Sequence, residues 1–430
     1  MIFGFRVWDA GKARFKCLAM FFSMSAILLI GSVLHAADAV DQKSKDVMGK
    51  SRQQRIAVVG IGDSNQRFGG HGWSKYMMQA LEDKFGCWGT GLKWCSRQFV
   101  TEEEAKRSGP APKELSDGAF SYWYLGDQVS ARVDWRNGQL HIAPDHPMDV
   151  KGPLKFRLAY ATFKGGTGSF LPSVRVDQPP WNIIASASAP INSSTGSFGK
   201  TSCTVELPAD PSRNTQLMFS ISPVNADIKG PLFGECLEAE NTAKQSGIAY
   251  HTLYAAGGQS LYDMLKTISG QNVTDFFQQV RAPLNGDKRC VVIINSGFND
   301  RNENEKSIGP KGSFDGRSRD AYRDNLEGLA ACLEKNWLAA GGQRETIHFV
   351  FIPSHPLSTP DDPVLIAYRE EAVALSKKLP NASCILLPEL VGQKEMAEKK
   401  YYDKGASSSP HLSMEGYEAL SKAVAKALSE

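Results

Sequence analysis

Four short segments of this 430-residue chain carry side chains that could do chemistry. Gly62-Asp63-Ser64-Asn65 offers a hydroxyl, Gly257-Gly258-Gln259-Ser260 a glycine turn, Gly297-Phe298-Asn299-Asp300 a side-chain amide, and Pro410-His411-Leu412 an imidazole. A neutral serine hydroxyl attacks a carbonyl only when a neighbouring base takes its proton. Imidazole titrates near neutral pH, so a histidine is the natural partner. Taken singly, each segment has a plainer reading. Ser64 would cap a helix, Gly257-Gly258 would be a flexible loop, Asn299 a turn residue and His411 a surface histidine. No spacing of Cys, His or carboxylates has the form of a zinc site, and no metal or other cofactor is implied.

The elements that must position these residues can be read from periodicity. Arg55 to Ile61 is an apolar run that meets Gly-Asp-Ser, the pattern of a buried strand entering a turn. Trp73, Tyr76, Met77, Ala80 and Leu81 then fall at helical spacing. After about residue 240 strands and helices alternate again. Ile248 to Ala255, Cys290 to Asn295, Ile347 to Ile352 and Cys384 to Leu387 read as strands. The series Leu261, Met264, Leu265, Ile268, the series Tyr322, Leu326, Leu329, Leu333, Trp337, and the series Met414, Tyr417, Leu420, Val424 read as helices. This alternation predicts an α/β fold with a parallel sheet covered on both faces. In such sheets ligands bind beyond the carboxyl ends of the strands, where the polar segments fall.

Between these parts the period changes. Leu154, Phe156, Leu158 and Tyr160 alternate with Lys155, Arg157 and Ala159, and Val205 with Leu207 and Leu217, Phe219 and Ile221 do the same. Arg136-Asn137-Gly138 is a hairpin signal. The region reads as an all-β sandwich or jelly roll set into the α/β unit. Its aromatics, Tyr122, Trp123, Tyr124, Trp135 and Trp181, are expected in the sandwich core ahead of a sugar-stacking platform.

The order Gly-Asp-Ser, Gly, Gly-x-Asn-Asp, then a late His before Gly416-Tyr417, resembles the SGNH (GDSL-like) hydrolase family over roughly residues 55–98 and 235–430. The layout is most similar to members with an inserted β domain that act on O-acetylated peptidoglycan or polysaccharide. The resemblance implies a flavodoxin-like three-layer parallel sheet and an acyl-serine mechanism. Ser64 would be the nucleophile and His411 its base. The Ser64 and Gly258 backbone N–H groups and the Asn299 amide would form the oxyanion hole, with Gly257 as the alternative register for Gly258. Asp63 and Asp300 would hold the turns. His355, in Ser354-His355-Pro356, is the rival base. The family's acid, three residues before the histidine, is here Ser408. Three readings follow: a Ser–His dyad with a backbone carbonyl orienting His411, Asp403 brought in on a longer loop, or reduced activity.

Arg6, Lys12, Arg14 and Lys16, then the uncharged Cys17 to Leu34 and the small Ala36-Ala37, read as an export signal, with an uncleaved anchor as the alternative. Without residues 1–36 the chain has 45 basic and 45 acidic side chains, so no positive field for nucleic acid remains. The expected organisation is signal peptide 1–36, linker 37–54, first hydrolase part 55–98, β insert 99–238 and second hydrolase part 239–430. Seven cysteines follow the signal, and Cys87 with Cys95 or Cys203 with Cys236 are candidate pairs for an oxidising compartment. Cys332, among Leu326, Leu329 and Leu333, reads as a buried thiol. The reading is an exported esterase acting on an acylated glycan or a small ester, with no nucleic-acid partner and no stable membrane insertion after signal cleavage. An O-acyltransferase and a glycan-binding protein with an impaired site are the alternatives.

Overall fold

The structure, a computed structural model, describes residues 42–66, 73–91, 93–94, 140–142, 147–162, 169–176, 178–192, 199–224, 233–255, 258–269, 273–302, 319–357, 362–403 and 409–429. In chain order the elements are α1 (42–49), β1 (Arg55–Gly62), α2 (Trp73–Phe85), β2 (Lys93–Trp94), β3 (Leu140–Ile142), β4 (Leu154–Thr162), β5 (Ser169–Val176), β6 (Ile183–Ser186), β7 (Ile191–Asn192), β8 (Gly199–Leu207), β9 (Leu217–Pro223), β10 (Phe233–Asn241) and β11 (Gly247–Ala255). There follow α3 (Leu261–Ser269), α4 (Val273–Arg281), β12 (Cys290–Ser296), α5 (Phe298–Asn302), α6 (Arg319–Ala339), β13 (Ile347–Pro353), α7 (Pro363–Lys378), β14 (Ala382–Cys384), α8 (Leu387–Leu390), α9 (Gln393–Glu398) and α10 (Met414–Ala427).

Strands β1, β11, β12 and β13 are buried along their whole length. A strand with no wet face reads as a continuous apolar run, which is why Val291-Val292-Ile293-Ile294 does not alternate. With β14 they form a parallel sheet in the order β11-β1-β12-β13-β14. Numbered along the chain these five run 2-1-3-4-5, the flavodoxin-like winding. Alternate residues feed two cores. Ala57, Val59, Ile61, Val292 and Ile294 pack with Met264, Phe276, Leu329 and Leu365 of α3, α4, α6 and α7. Ile56, Val58, Val291 and Ile293 pack with Met77 and Leu81 of α2 and Tyr417 and Leu420 of α10.

The β11 edge is carried on by the short β2, which pairs parallel through Thr252 and antiparallel with β10, leading into the antiparallel run β10-β4-β8. A second antiparallel sheet, β3-β9-β5-β6 with β7 on β5, packs over it. Phe156 of β4 stacks on Phe219 of β9 at 5.8 Å, among Leu158, Val174, Val205 and Leu217. The α/β fold with an inserted β sandwich is therefore observed, and one sheet of the sandwich is continuous with the parallel sheet. Arg55, at the first residue of β1, locks the two parts. Its guanidinium reaches the Glu240 carboxylate at 2.8 Å and the carbonyls of Lys244, Asn241 and Pro283.

Several expectations change. Residues 37–54 do not form a linker throughout. Residues 42–49 are the helix α1, where Met48 is buried and Ser44 bonds His348 Nε2 at 3.2 Å. The boundary at 238/239 falls inside β10, whose pairing with β4 runs on to Asn241. The strand expected over Cys384–Leu387 is Ala382–Cys384, because Pro388 opens the short helix α8. Trp181 is 38% exposed beside the exposed Ile183 and Ile184, so it is not a core residue. Cys203 and Cys236 lie on β8 and β10 with β4 between them. Two strand spacings amount to about 9.5 Å, too far for a disulfide, and Cys203 is a free thiol. Cys332 is half-buried and packs against the first core, and burial pushes its thiol up. Residues 1–36, the hairpin signal at 136–138, Cys95, Tyr122, Trp123, Tyr124 and Trp135 lie outside the described residues. Among the described residues no helix is long and apolar enough to cross a membrane.

Candidate active site

Register brings the polar segments to one level. Gly62 of β1 stands abreast of Ala255 on one side and Asn295 on the other, and Asn295 stands abreast of Ile352. Ser64, Gly258, Asn299 and His355 follow those positions by two to four residues. They leave the sheet at the same carboxyl edge, where the winding reverses between β1 and β12.

The Ser64 turn folds back tightly over its own strand. Residues 64–66 form a single 3-10 turn, with Gln66 N bonded to Asp63 O at 3.0 Å. Small residues make room for it. A Cβ on Gly60 would stand 2.3 Å from both Gln66 Nε2 and Tyr250 Oη, and one on Gly62 would stand 2.7 Å from Gln66 Cβ.

The last helix brings His411. Ser413 caps α10, accepting from Gly416 N at 3.2 Å. A Cβ at Gly416 would lie 2.2 Å from the Tyr401 carbonyl oxygen, so only glycine lets the helix approach this strand. The segment 401–403 pairs antiparallel with 411–413. Asp403 N donates to His411 O at 3.0 Å and Ser413 N to Tyr401 O at 2.8 Å, on either side of the Tyr402–Leu412 bridge. Ser409 Oγ accepts from His411 N at 3.2 Å. So held, His411 Nε2 lies 2.9 Å from Ser64 Oγ. The two residues are 347 positions apart in sequence and in direct hydrogen-bond contact.

A second network joins Asp63, Asn65, Asn299 and Tyr417. Asp63 Oδ1 accepts from Asn65 N at 2.8 Å and from its side-chain amide at 3.2 Å, while Asp63 Oδ2 accepts from Asn299 Nδ2 at 3.0 Å. Tyr417 donates to Asn65 Oδ1 at 2.6 Å. Burial, first among its causes, pushes the Tyr417 hydroxyl up, so it keeps its proton and remains a donor. Asp300 Oδ1 accepts from Leu261 N at 3.0 Å and ties α5 to the start of α3, three residues after Gly258. Gly258 is exposed at φ +72°, a left-handed conformation that glycine adopts without strain.

Ser64, His411, Asn299, Asp63 and Asp300 are thus joined into one connected site, and Gly258 sits on its adjoining turn. Among the described residues no hydrogen bond joins His355 to Ser64. His355 is 1% exposed, and burial, with help from the charges of Arg369 and His411, pulls its ring down to about 3. Asp403 stands opposite His411 through its backbone, and no hydrogen bond joins its carboxylate to the imidazole among the described residues. Ser408 and Gly257 lie outside the described residues. Sequence reasoning missed Asn65, Tyr417 as a donor, and Ser409. Tyr417 was visible only as part of the Gly-Tyr pattern, and nothing in the sequence pairs it with Asn65. Among the described residues no cluster of His, Cys and carboxylates could hold a metal ion.

No family model and no curated protein matches this chain. Among solved structures it is similar to a peptidoglycan O-acetylesterase, at 14% identity over 90% of this chain and 94% of that one, with a TM-score of 0.46. It is also similar to a family 2 carbohydrate esterase with a carbohydrate-binding domain from Corynascus thermopiles (Myceliophthora fergusii), at 14% identity over 72% and 98%, with a TM-score of 0.30. A family two carbohydrate esterase from Cellvibrio japonicus matches at 13% identity over 58% and 88%, with a TM-score of 0.22.

Proposed function

We propose that this chain is an exported serine esterase that removes O-acyl groups, O-acetyl foremost, from a carbohydrate or cell-envelope glycan. The single observation that carries the reading is the 2.9 Å contact between Ser64 Oγ and His411 Nε2. His411 takes the Ser64 proton as the oxygen attacks the ester carbonyl. The resulting oxyanion is received by the Ser64 and Gly258 N–H groups and the second N–H of the Asn299 amide, whose first N–H donates to Asp63. The intermediate collapses, the sugar oxygen leaves with the proton from His411, and the acyl group stays on Ser64. Water, deprotonated by His411, then attacks the acyl-serine and releases the carboxylic acid.

The orienting group is the backbone around His411. Ser409 Oγ accepts from its N–H and Asp403 N donates to its carbonyl, and the reading taken for the pair is a Ser–His dyad. The assembled pair favours hydrolysis over a binding-only protein. The signal-like residues 1–36 support a substrate outside the cytoplasm.

The test is release of acetate from acetylated peptidoglycan and acetylated polysaccharide, with p-nitrophenyl acetate as a simple ester. Hydrolysis lost in Ser64→Ala is expected. Acyl transfer to an added sugar acceptor in preference to water would replace esterase by transferase. Silence on all three esters would reject the reading.

A further inference from the structure

The segment after β13, Ser354-His355-Pro356-Leu357, is buried at all four residues although it belongs to a loop. Its centre is His355. The ring lies 4.5 Å from that of Phe298, the residue before Asn299. On another side it lies 6.0 Å from the ring of Tyr402, whose bridge partner Leu412 follows His411. It also makes a hydrogen bond to the backbone of Ser409, two residues before His411. Tyr402 Oη closes the arrangement by donating to Pro356 O at 3.0 Å. Three surfaces that set the donor amide and the base therefore meet on one buried ring.

We propose that His355 is a positioning residue for His411, a buried imidazole that holds the 409–412 segment by its backbone where no acid precedes the histidine by three residues. This rests on the esterase reading of the site. The ring stays neutral, since burial and the nearby charges of Arg369 and His411 pull it down. A neutral ring has one N–H to give. Among the described residues Nε2 is buried without a hydrogen-bond partner, which leaves Nδ1 as the atom that serves the Ser409 carbonyl. The Ser409 hydroxyl then accepts from His411 N, so the restraint passes from His355 through Ser409 to the base. A displacement of about 1 Å at such a group costs on the order of a hundredfold in rate.

The test compares His355→Leu with His355→Asn on p-nitrophenyl acetate in the full chain. Leucine fills the space and offers no N–H, while asparagine places an N–H near the position of Nδ1. The expected result is a fall of about a hundredfold in kcat for His355→Leu with KM little changed, and substantial rescue in His355→Asn. Should the leucine variant not fold, His355→Gln, which sets its N–H near the Nε2 position, carries the same expectation of a lowered kcat. Equal kcat in His355→Leu and the unmodified protein would overturn the proposal, as would equal losses in the leucine and asparagine variants. If the unmodified protein hydrolyses no ester, the esterase reading fails and amide hydrogen exchange decides this one. Protection of the Asp403 and Ser413 amides should drop in His355→Leu and return in His355→Asn, with β1 unaffected. Unchanged protection would overturn it.

Discussion

Acidification should destabilise this fold through two buried histidines. His348, on β13, has its Nε2 within hydrogen-bond distance of the hydroxyls of Ser44 of α1 and Ser383 of β14, at 3.2 and 2.9 Å. Burial, then the charges of Lys43 and Arg289, pulls its ring down to about 4. His355 is pulled to about 3. In the unfolded chain both titrate near 6.5. Between about 6.5 and 4 the unfolded state binds protons that the folded state refuses, so stability is full above pH 6.5 and is lost as the pH falls. At pH 4.5, relative to pH 7.5, the linkage relation gives roughly 2.5 kcal/mol for each ring and about 5 kcal/mol for both. That is a large share of a typical net stability of about 5–15 kcal/mol. Glu238 and Glu389, whose carboxyls burial pushes up, act in the opposite direction. The histidine share is therefore read as a difference. Urea unfolding at pH 7.5 and 4.5 should show a smaller acid loss in His348→Gln, by roughly 2.5 kcal/mol. The same acid loss in both proteins would refute the reasoning.

Three further outcomes are expected. Asn299→Ala removes one of the proposed oxyanion donors and should lower kcat about a hundred- to a thousandfold with little change in KM, measured by steady-state ester hydrolysis. Asp403→Asn keeps the backbone N–H that holds His411, so kcat should stay within a few-fold; a loss near ten-thousandfold would make Asp403 the acid of a triad. Gly60→Ala forces a methyl against Gln66 and Tyr250 and should lower stability by about 1–3 kcal/mol; an unchanged urea midpoint would contradict that.

Much of the fold was legible because it depends on strands with no wet face. Arg55–Ile61 and Cys290–Asn295 were readable to within a residue of β1 and β12, since apolar runs between turn signals leave little choice. The helix α4 was missed although Val273, Phe276, Phe277 and Val280 have helical spacing; it is short and follows closely on α3. The start of α7 carries Asp362 as cap and Pro363 in the first turn, a helix-start signal legible in the sequence itself. Helix α1 was hidden for a physical reason. Few of its residues are buried, and a contact with His348, 304 residues from Ser44, holds it. At the site, Ser64, Asn299 and His411 were readable as candidates because each is a reactive or polar side chain just past a strand end or before the last helix. The supports were not. His355 looked like a competing base because sequence shows the imidazole and not its burial, and the Tyr417–Asn65 bond exists only once α10 docks beside β1.

The most direct test of the account is phosphonylation by a fluorophosphonate, followed by mass spectrometry of the intact chain and its peptides across pH. A single adduct on the peptide bearing Ser64 is predicted, with a rate that rises as an imidazole loses its proton and collapses in His411→Ala. An adduct elsewhere, no adduct, or a rate indifferent to His411 would contradict the claim that this pair is the catalytic centre.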